Sequence, residues 1–392
     1  MSFGKTTLVA SLGFALAISA CDSGNPPETA APITGPAVSQ DAGGTTASVR
    51  VFATGLNFPR NFTFGPHGDI YVAEAGSGGS TATTAEQCAQ VIPPIGPYTN
   101  GPTGRISRID RHGTRTTVAD GFPSGLNAVG DVLGVQDVAF IGNKLYALVA
   151  GGGCSHGSAD VPASIAKIGS GGSWSVSANL SAYQAAHPVA QPEEDDYEPD
   201  GSWYSMIESR GSLIAVEPNH GEVVVVNPRT GAVTRIADIS ASQGHIVPTV
   251  VAERRGALYI SNLGTFPVTP GAEKILRVSR SGHVTVVAEG FTTVLGLDFD
   301  HRGRLYVLES TTAPGFPAPM TGRVVRLDRH GNRDVIVDSL FLPTGMRFGP
   351  DGKLYISNKG FGPPQPGEIL QVNVPGAKDW GHHDEDMEQD GD

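Results

Sequence analysis

GRLYVLE (303–309) and GKLYISN (352–358) are one short phrase written twice: a Gly turn, then an apolar-Tyr-apolar strand that ends on an acid or amide. The phrase recurs as HGDIYVAE (67–74), GNKLYALV (142–149), GSLIAVE (211–217), where Ile replaces Tyr, and GALYISN (256–262). A second apolar phrase follows each copy: GRISRID (104–110), ASIAKIG (163–169), GEVVVVN (221–227), EKILRVS (273–279), GRVVRLD (322–328) and GEILQVN (367–373). Repeats of roughly 40–50 residues that each hold several short strands mark a β-propeller. From Ile214 through Tyr259 and Tyr306 to Tyr355 the intervals are 45, 47 and 49, whereas those from Tyr71 to Tyr146 and on to Ile214 are 75 and 68. The reading is an all-β, six-bladed propeller over 47–374, with insertions in its early blades.

Strands a to d of a blade run from the centre outward. Strand a precedes each Gly turn: PRNFTF (59–64), VQDVAF (135–140), SMIES (205–209), PTVVAE (248–253), VLGLDF (294–299) and PTGMRF (343–348). Strand b is the Tyr phrase and strand c the second phrase. Strand d is TRTTVAD (114–120), SWSVSAN (173–179), AVTRIAD (232–238), HVTVVAE (283–289) and NRDVIVD (332–338). Only five d strands follow a c strand. The sixth is predicted at the other end of the chain, where ASVRVFATG (47–55) copies VTVVAEG (284–290); paired beside 367–373 it closes the ring and removes two open sheet edges. The a-to-b and c-to-d turns are tight and Gly-bearing. The b-to-c connections at 75–103, 150–162 and 310–321 and the d-to-a connection at 180–202 are long. Because strands alternate in direction, all of these long connections fall on one face, where loops on a rigid scaffold carry function.

With 27 Lys and Arg against 39 Asp and Glu the net charge is −12, which repels phosphate backbones and argues against nucleic acid as a partner. Residues 1–20 read as an export signal: Lys5, an apolar stretch from Leu8 to Ile18, then Ile18-Ser19-Ala20-Cys21. That ending resembles the bacterial lipobox, in which Cys21 is acylated; the alternative is an ordinary secretory peptide with Cys after the cut. Residues 21–46 form a polar tether rich in Ala, Pro, Gly and Thr, and 375–392 an acidic tail expected to be disordered. This places the chain in a bacterial cell envelope, on its periplasmic or extracellular side, as a monomer held to a membrane through Cys21. Cys88 and Cys154 remain, in neighbouring insertions, and an oxidising compartment favours their disulfide over two free thiols.

GLNFPRNFTFGPHGDIYVAEAGSGG (55–79), GPTGRISRID (101–110) and LPTGMRFGPDGKLYISN (342–358) resemble the ScyD/ScyE family of the scytonemin cluster, which sits among NHL-like and gluconolactonase-like six-bladed propellers. The resemblance covers 48–374. It implies an exported propeller and, through the family name, an accessory role in extracytoplasmic secondary metabolism. Two departures stand out: Gly296 lies where similar sequences often carry an acid, and blade three begins Tyr204-Ser205 in place of a Pro-rich start.

The polar residues that end strand b are Glu74, Glu217, Asn262, Glu309 and Asn358, with Val149 breaking the series. The expectation is a ring of oxygens at the axial mouth, joined by Asp137 and by Arg60, whose charge suits an anionic ligand. Oxygen donors suit a hard cation such as Ca²⁺. The resemblance to gluconolactonase-like and paraoxonase-like propellers implies a divalent metal near that position, polarising a lactone carbonyl, with Glu217, Asn262, Glu309 and Asn358 as the candidate ligands. The competing reading is that these groups cap turns or face channel water. His220 is the best single general-base candidate, although a lone His is more often structural. The acidic run 193–200 and the tail His382-His383-Asp384-Glu385-Asp386 read as solvated acid rather than metal sites. GxSxG, HExxH, P-loop and GxGxxG signatures are absent. Two functions follow: a binding module whose long-loop face engages a small molecule, glycan or envelope protein, or a metal-dependent lactonase-like hydrolase.

Overall fold

Six separate apolar slabs, one between each pair of adjacent blades, form most of the core, and the strand-b phrase builds them. In blade three Leu213 and Ala215 join the slab shared with blade two, while Ile214 and Val216 join the slab shared with blade four. Successive side chains of a strand point to opposite faces, so a strand buried on both faces reads as a continuous apolar run. The same split holds elsewhere. Leu354 and Ile356 face blade five while Tyr355 faces blade one, and Ile70 and Val72 face blade six while Tyr71 and Ala73 face blade two.

The structure is a computed structural model and describes residues 47–192, 197–328 and 330–375. These residues form six antiparallel sheets set as the blades of a propeller, five of four strands and one of five. In blade three, for example, strands a to d are Ser205–Ser209, Ser212–Glu217, Glu222–Asn227 and Ala232–Asp238. Ser48–Leu56 lies antiparallel to Gly367–Asn373, with Ser48 opposite Asn373 and Leu56 opposite Gly367, so the N-terminal strand closes the last blade as expected.

The recurring Tyr and the Phe-Gly of the preceding turn are one packing unit. Tyr71, Tyr259, Tyr306 and Tyr355 each set their ring edge-on to the Phe that ends strand a of the next blade: Phe140, Phe299, Phe348 and Phe64, at 4.8–5.3 Å between centroids. In blades one and six a Gly follows the Phe and lies under the Tyr ring of its own blade. A Cβ on Gly65 would sit 2.6 Å from Tyr71, and one on Gly349 2.7 Å from Tyr355. Blade four ends strand a with Glu253-Arg254 instead of Phe, and the facing position in blade three is Ile214, the one copy without Tyr.

Two elements differ from expectation. The outer strand of blade one, expected over 114–120, runs Arg115–Leu126, because strand c there extends from Thr99 to Ile109 and offers a partner as far as Thr99 opposite Leu126. A fifth strand, Val132–Leu133, then folds back on it. Strand a of blade six begins at Gly345 rather than 343. The lipobox Cys21, the tether 21–46, acids 193–196 and the tail beyond 375 lie outside the described residues.

Candidate functional site

Glu74, Glu217, Asn262, Glu309 and Asn358 all end strand b, but each turns to the linker that brings the chain from strand d into its own blade. Glu74 Oε2 accepts from Asn57 N (2.5 Å), Glu309 Oε1 from Thr292 N (2.9 Å) and Asn358 Oδ1 from Phe341 N (3.0 Å). Asn262 Nδ2 donates to Ile246 O (2.9 Å). Glu217 takes most: its Oε1 accepts from Ser202 N (2.7 Å) and Asn219 N (3.1 Å), and its Oε2 from His220 N (2.5 Å). Strand c completes several of these clamps from the facing register. Arg105 meets Glu74 at 2.6 Å, Arg323 meets Glu309 at 2.5 Å, and Glu368 accepts from Asn358 at 2.8 Å. Linker N–H groups left buried and unpaired would each be costly, so an acid or amide at this position is a repeated structural need. Blade two, which has Val149 there, holds its linker through the backbone, Ala150 N to Gly134 O at 2.8 Å.

The five side chains therefore do not assemble as a ring of free oxygens, and among the described residues no group of three or more His, Cys, Asp and Glu is placed to hold a metal. An acid at the end of strand b has two directions open to it, and the unsatisfied linker amide decides between them.

The axial mouth is occupied by the protein itself. Arg60, on strand a of blade one, is 3% exposed; it donates to Gly360 O, to Val132 O (2.7 Å) and to Asp131 (3.1 Å), pinning the extra hairpin of blade one. Tyr204 reaches across the axis: its hydroxyl donates to Thr344 O in blade six (2.7 Å), and its carbonyl accepts from Asn61 Nδ2 in blade one (3.1 Å). Burial and the nearby Asp131 and Asp137 push its phenol well above the ordinary range, although Arg60 opposes them. Tyr204 was visible as a departure from the repeat; its bridging role was not.

Deeper in, Asp137 accepts from Met206 N on blade three (2.7 Å) and from its own neighbour Val138 N (2.8 Å). Asp298 does the same between blades five and six, accepting from Phe348 N (2.7 Å). Burial lifts Asp137 to about 7 and also raises Asp298, while the charge of Arg347 pulls both back. Gly296, one strand-residue pair above Asp298, leaves no room for an acid: a Cβ there would lie 2.8 Å from Leu308 and 3.0 Å from Met346.

His220 is buried, with Nε2 at 2.9 Å from Glu198 O and its ring 4.9 Å from that of Tyr197. It acts as a loop anchor. The buried acid–base group that sequence reasoning missed is His156, beside Cys154. Its Nδ1 donates to Gly152 O (2.8 Å), its Nε2 lies 3.4 Å from Glu198 Oε2, and Tyr98 donates to the other oxygen of Glu198 at 2.9 Å. Burial opposes charge on His156, but Glu198, with help from Asp200, outweighs it and raises its pKa. Nothing in the local sequence of His156 signals this; the insertions of three blades meet there. Cys88 and Cys154 are disulfide-bonded, joining the insertions of blades one and two.

The open part of the long-loop face lies over blades four to six. Three b-to-c loops each contribute a Phe beside Pro or Gly-Pro: Phe266-Pro267, Phe316-Pro317 and Phe361-Gly362-Pro363. The ring of Phe316 stands 5.4 Å from that of Phe266 and 5.2 Å from that of Phe361. Phe266 is 54% exposed, and Met320 beside this row 56%. The signal was present in the sequence as a Phe followed by Pro or Gly-Pro in the b-to-c loop of three consecutive blades.

No protein-family model and no curated protein sequence matches the chain. Solved structures do. Regucalcin of Agrobacterium tumefaciens, a calcium-binding protein, superposes with a TM-score of 0.53 at 15% identity, over 85% of this chain and 96% of that one. A gluconolactonase of Xanthomonas campestris superposes with a TM-score of 0.50 at 11% identity, over 84% and 90%. At such identities the likeness establishes the six-bladed propeller of the gluconolactonase and regucalcin class as the fold, and function has to be argued from the site.

Proposed function

We propose that this protein is a binding propeller of the bacterial envelope, anchored through acylated Cys21, whose long-loop face engages a small molecule or glycan with flat apolar faces. The observation that carries the reading is the pairing of a closed mouth with an open aromatic row. Arg60 and Tyr204 close the axis with bonds to backbone carbonyls, and the strand-b oxygens hold linkers. Phe266 meanwhile stands exposed, in one contiguous apolar row with the half-buried rings of Phe316 and Phe361, and exposed apolar surface of this kind marks interaction sites. Rings from three rigidly spaced blades lose little freedom on binding, which favours affinity.

The second reading is a lactonase-like hydrolase using Ca²⁺. It is supported by the gluconolactonase and the calcium-binding regucalcin among the structural neighbours. In this chain a cation drawing on Glu217 would have to displace three backbone N–H groups from it. A binding screen of soluble glycans and aromatic metabolites, run beside a lactone hydrolysis assay, separates the two. The binding reading expects a ligand whose affinity falls in Phe266→Ala/Phe316→Ala and is unchanged by chelation of calcium. Calcium-dependent lactone turnover, indifferent to the Phe substitutions, would replace it with the hydrolase.

A further inference from the structure

The tight-turn face of the disc is basic, although the chain as a whole carries −12. Arg280, on the c-to-d turn of blade four, bonds Ser209 and Glu253 at the a-to-b turns of blades three and four, so both sets of turns share this face. Arg280 and Lys353 are paired there with Glu253 and Asp351, and Asp110 and Asp328 accept N–H bonds within their own turns. Exposed Lys144, Lys167, Arg229, Arg255 and Arg302 form no ion pair among the described residues. Three of them, Lys144, Lys167 and Arg229, line one cleft of about 400 Å³ where blades two and three meet, together with Ser175 and the Tyr146 side chain; no acidic residue lines it.

Strand direction supplies a second, independent observation. Ser48–Leu56 is a strand d, so it runs from the tight-turn face up to the long-loop face, and its first residue, Ser48, lies opposite Asn373 at the lower end of strand c. Ala47, through which the N-terminal segment enters the disc, consequently lies on the basic face.

We infer that the tight-turn face docks on anionic phospholipid, with the Lys144–Lys167–Arg229 cleft seating a headgroup phosphate. Cations gathered on one face act together against the negative potential of an anionic membrane, and they do so only within about 10 Å of it. The N-terminal segment enters the disc on that same face, which favours a membrane over a soluble polyanion as the occupant. An acyl chain and a basic surface are also the two signals that stable membrane attachment generally combines. Docked this way, the disc turns its aromatic row away from the bilayer. The choice of a membrane as occupant rests on the anchoring proposed above; the basic cleft itself does not, and it lies on the opposite face from the site assigned to the ligand.

Cosedimentation of the full chain carrying Cys21→Ser with vesicles of phosphatidylglycerol and phosphatidylcholine, or of phosphatidylcholine alone, tests this without the acyl chain. The N-terminal segment is common to every protein compared, so its contribution is read on the neutral vesicles. The expected result is salt-sensitive binding to the anionic vesicles that falls about tenfold or more in Lys144→Gln/Lys167→Gln/Arg229→Gln, with an unchanged melting temperature. Equal binding to both vesicle types, or a triple variant that binds anionic vesicles as well as its parent, would overturn the inference. So would tight binding of soluble polyphosphate with none to vesicles.

Discussion

Glu217 illustrates what a residue's surroundings do to an apparently functional group. Its carboxylate is fully buried and accepts from Ser202, Asn219 and His220, all backbone N–H groups. Glu217→Gln replaces one oxygen by an NH₂ that faces donors, so at least one N–H loses its acceptor. The expected cost is about 1–3 kcal/mol, read as a lower midpoint in a denaturant titration. Asp137 makes a prediction with pH. Burial holds its carboxyl at about 7, against an ordinary value of 3.8, with Arg347 opposing. Above its ordinary value the unfolded chain has released this proton while the folded chain keeps it, so stability falls as pH rises from about 4 to about 7 and levels off beyond. Glu273, also lifted by burial to about 7, slopes the same way. His156, raised by Glu198 against burial, stabilises when protonated and loses that contribution as pH rises through its folded value. The protein should therefore melt at a higher temperature at pH 5.5 than at pH 8, and Asp137→Asn should flatten that difference. A melting temperature that climbs over this range would contradict the assignment.

Strand b shows what could be read at the scale of elements. Its apolar run, its Gly turn and its Tyr were legible because both faces of strand b are buried, which leaves the same unbroken apolar run in every blade. The direction of its last side chain was not legible, because it depends on an amide some seventeen residues away in sequence, as with Asn57 and Glu74. The closing strand, largely exposed, was legible for another reason: its pattern copies the other d strands. Deleting 47–55 should leave Gly367–Asn373 as an open edge, and gel filtration should show aggregation; a folded monomer would refute the closure. The disulfide spans 66 residues between two insertions. In the chain-entropy model its reduction removes up to about 4 kcal/mol, so the midpoint of unfolding should drop on adding a reductant. An unchanged midpoint would mean that the two insertions hold each other without it.

As a whole molecule the propeller separates its tasks by face. Tight Gly turns, exposed cations and the junction with the N-terminal segment lie on one side; the disulfide-linked insertions, the closed mouth and the aromatic row lie on the other. The repeat made the two faces legible from loop lengths alone. The closure of the mouth by Arg60 and Tyr204 was hidden, since it joins blades one, three and six, which sequence spacing cannot bring together. Their bonds to linker N–H groups assign the strand-b acids and amides to the scaffold rather than to a cation site. A ligand that binds the folded state alone raises its melting temperature, so thermal melts of the wild-type protein and Glu217→Gln, each with and without millimolar calcium, test that assignment most directly. Glu217→Gln should melt lower in either buffer, and calcium should move neither protein. A calcium-dependent rise in the wild type that vanishes in Glu217→Gln would contradict it.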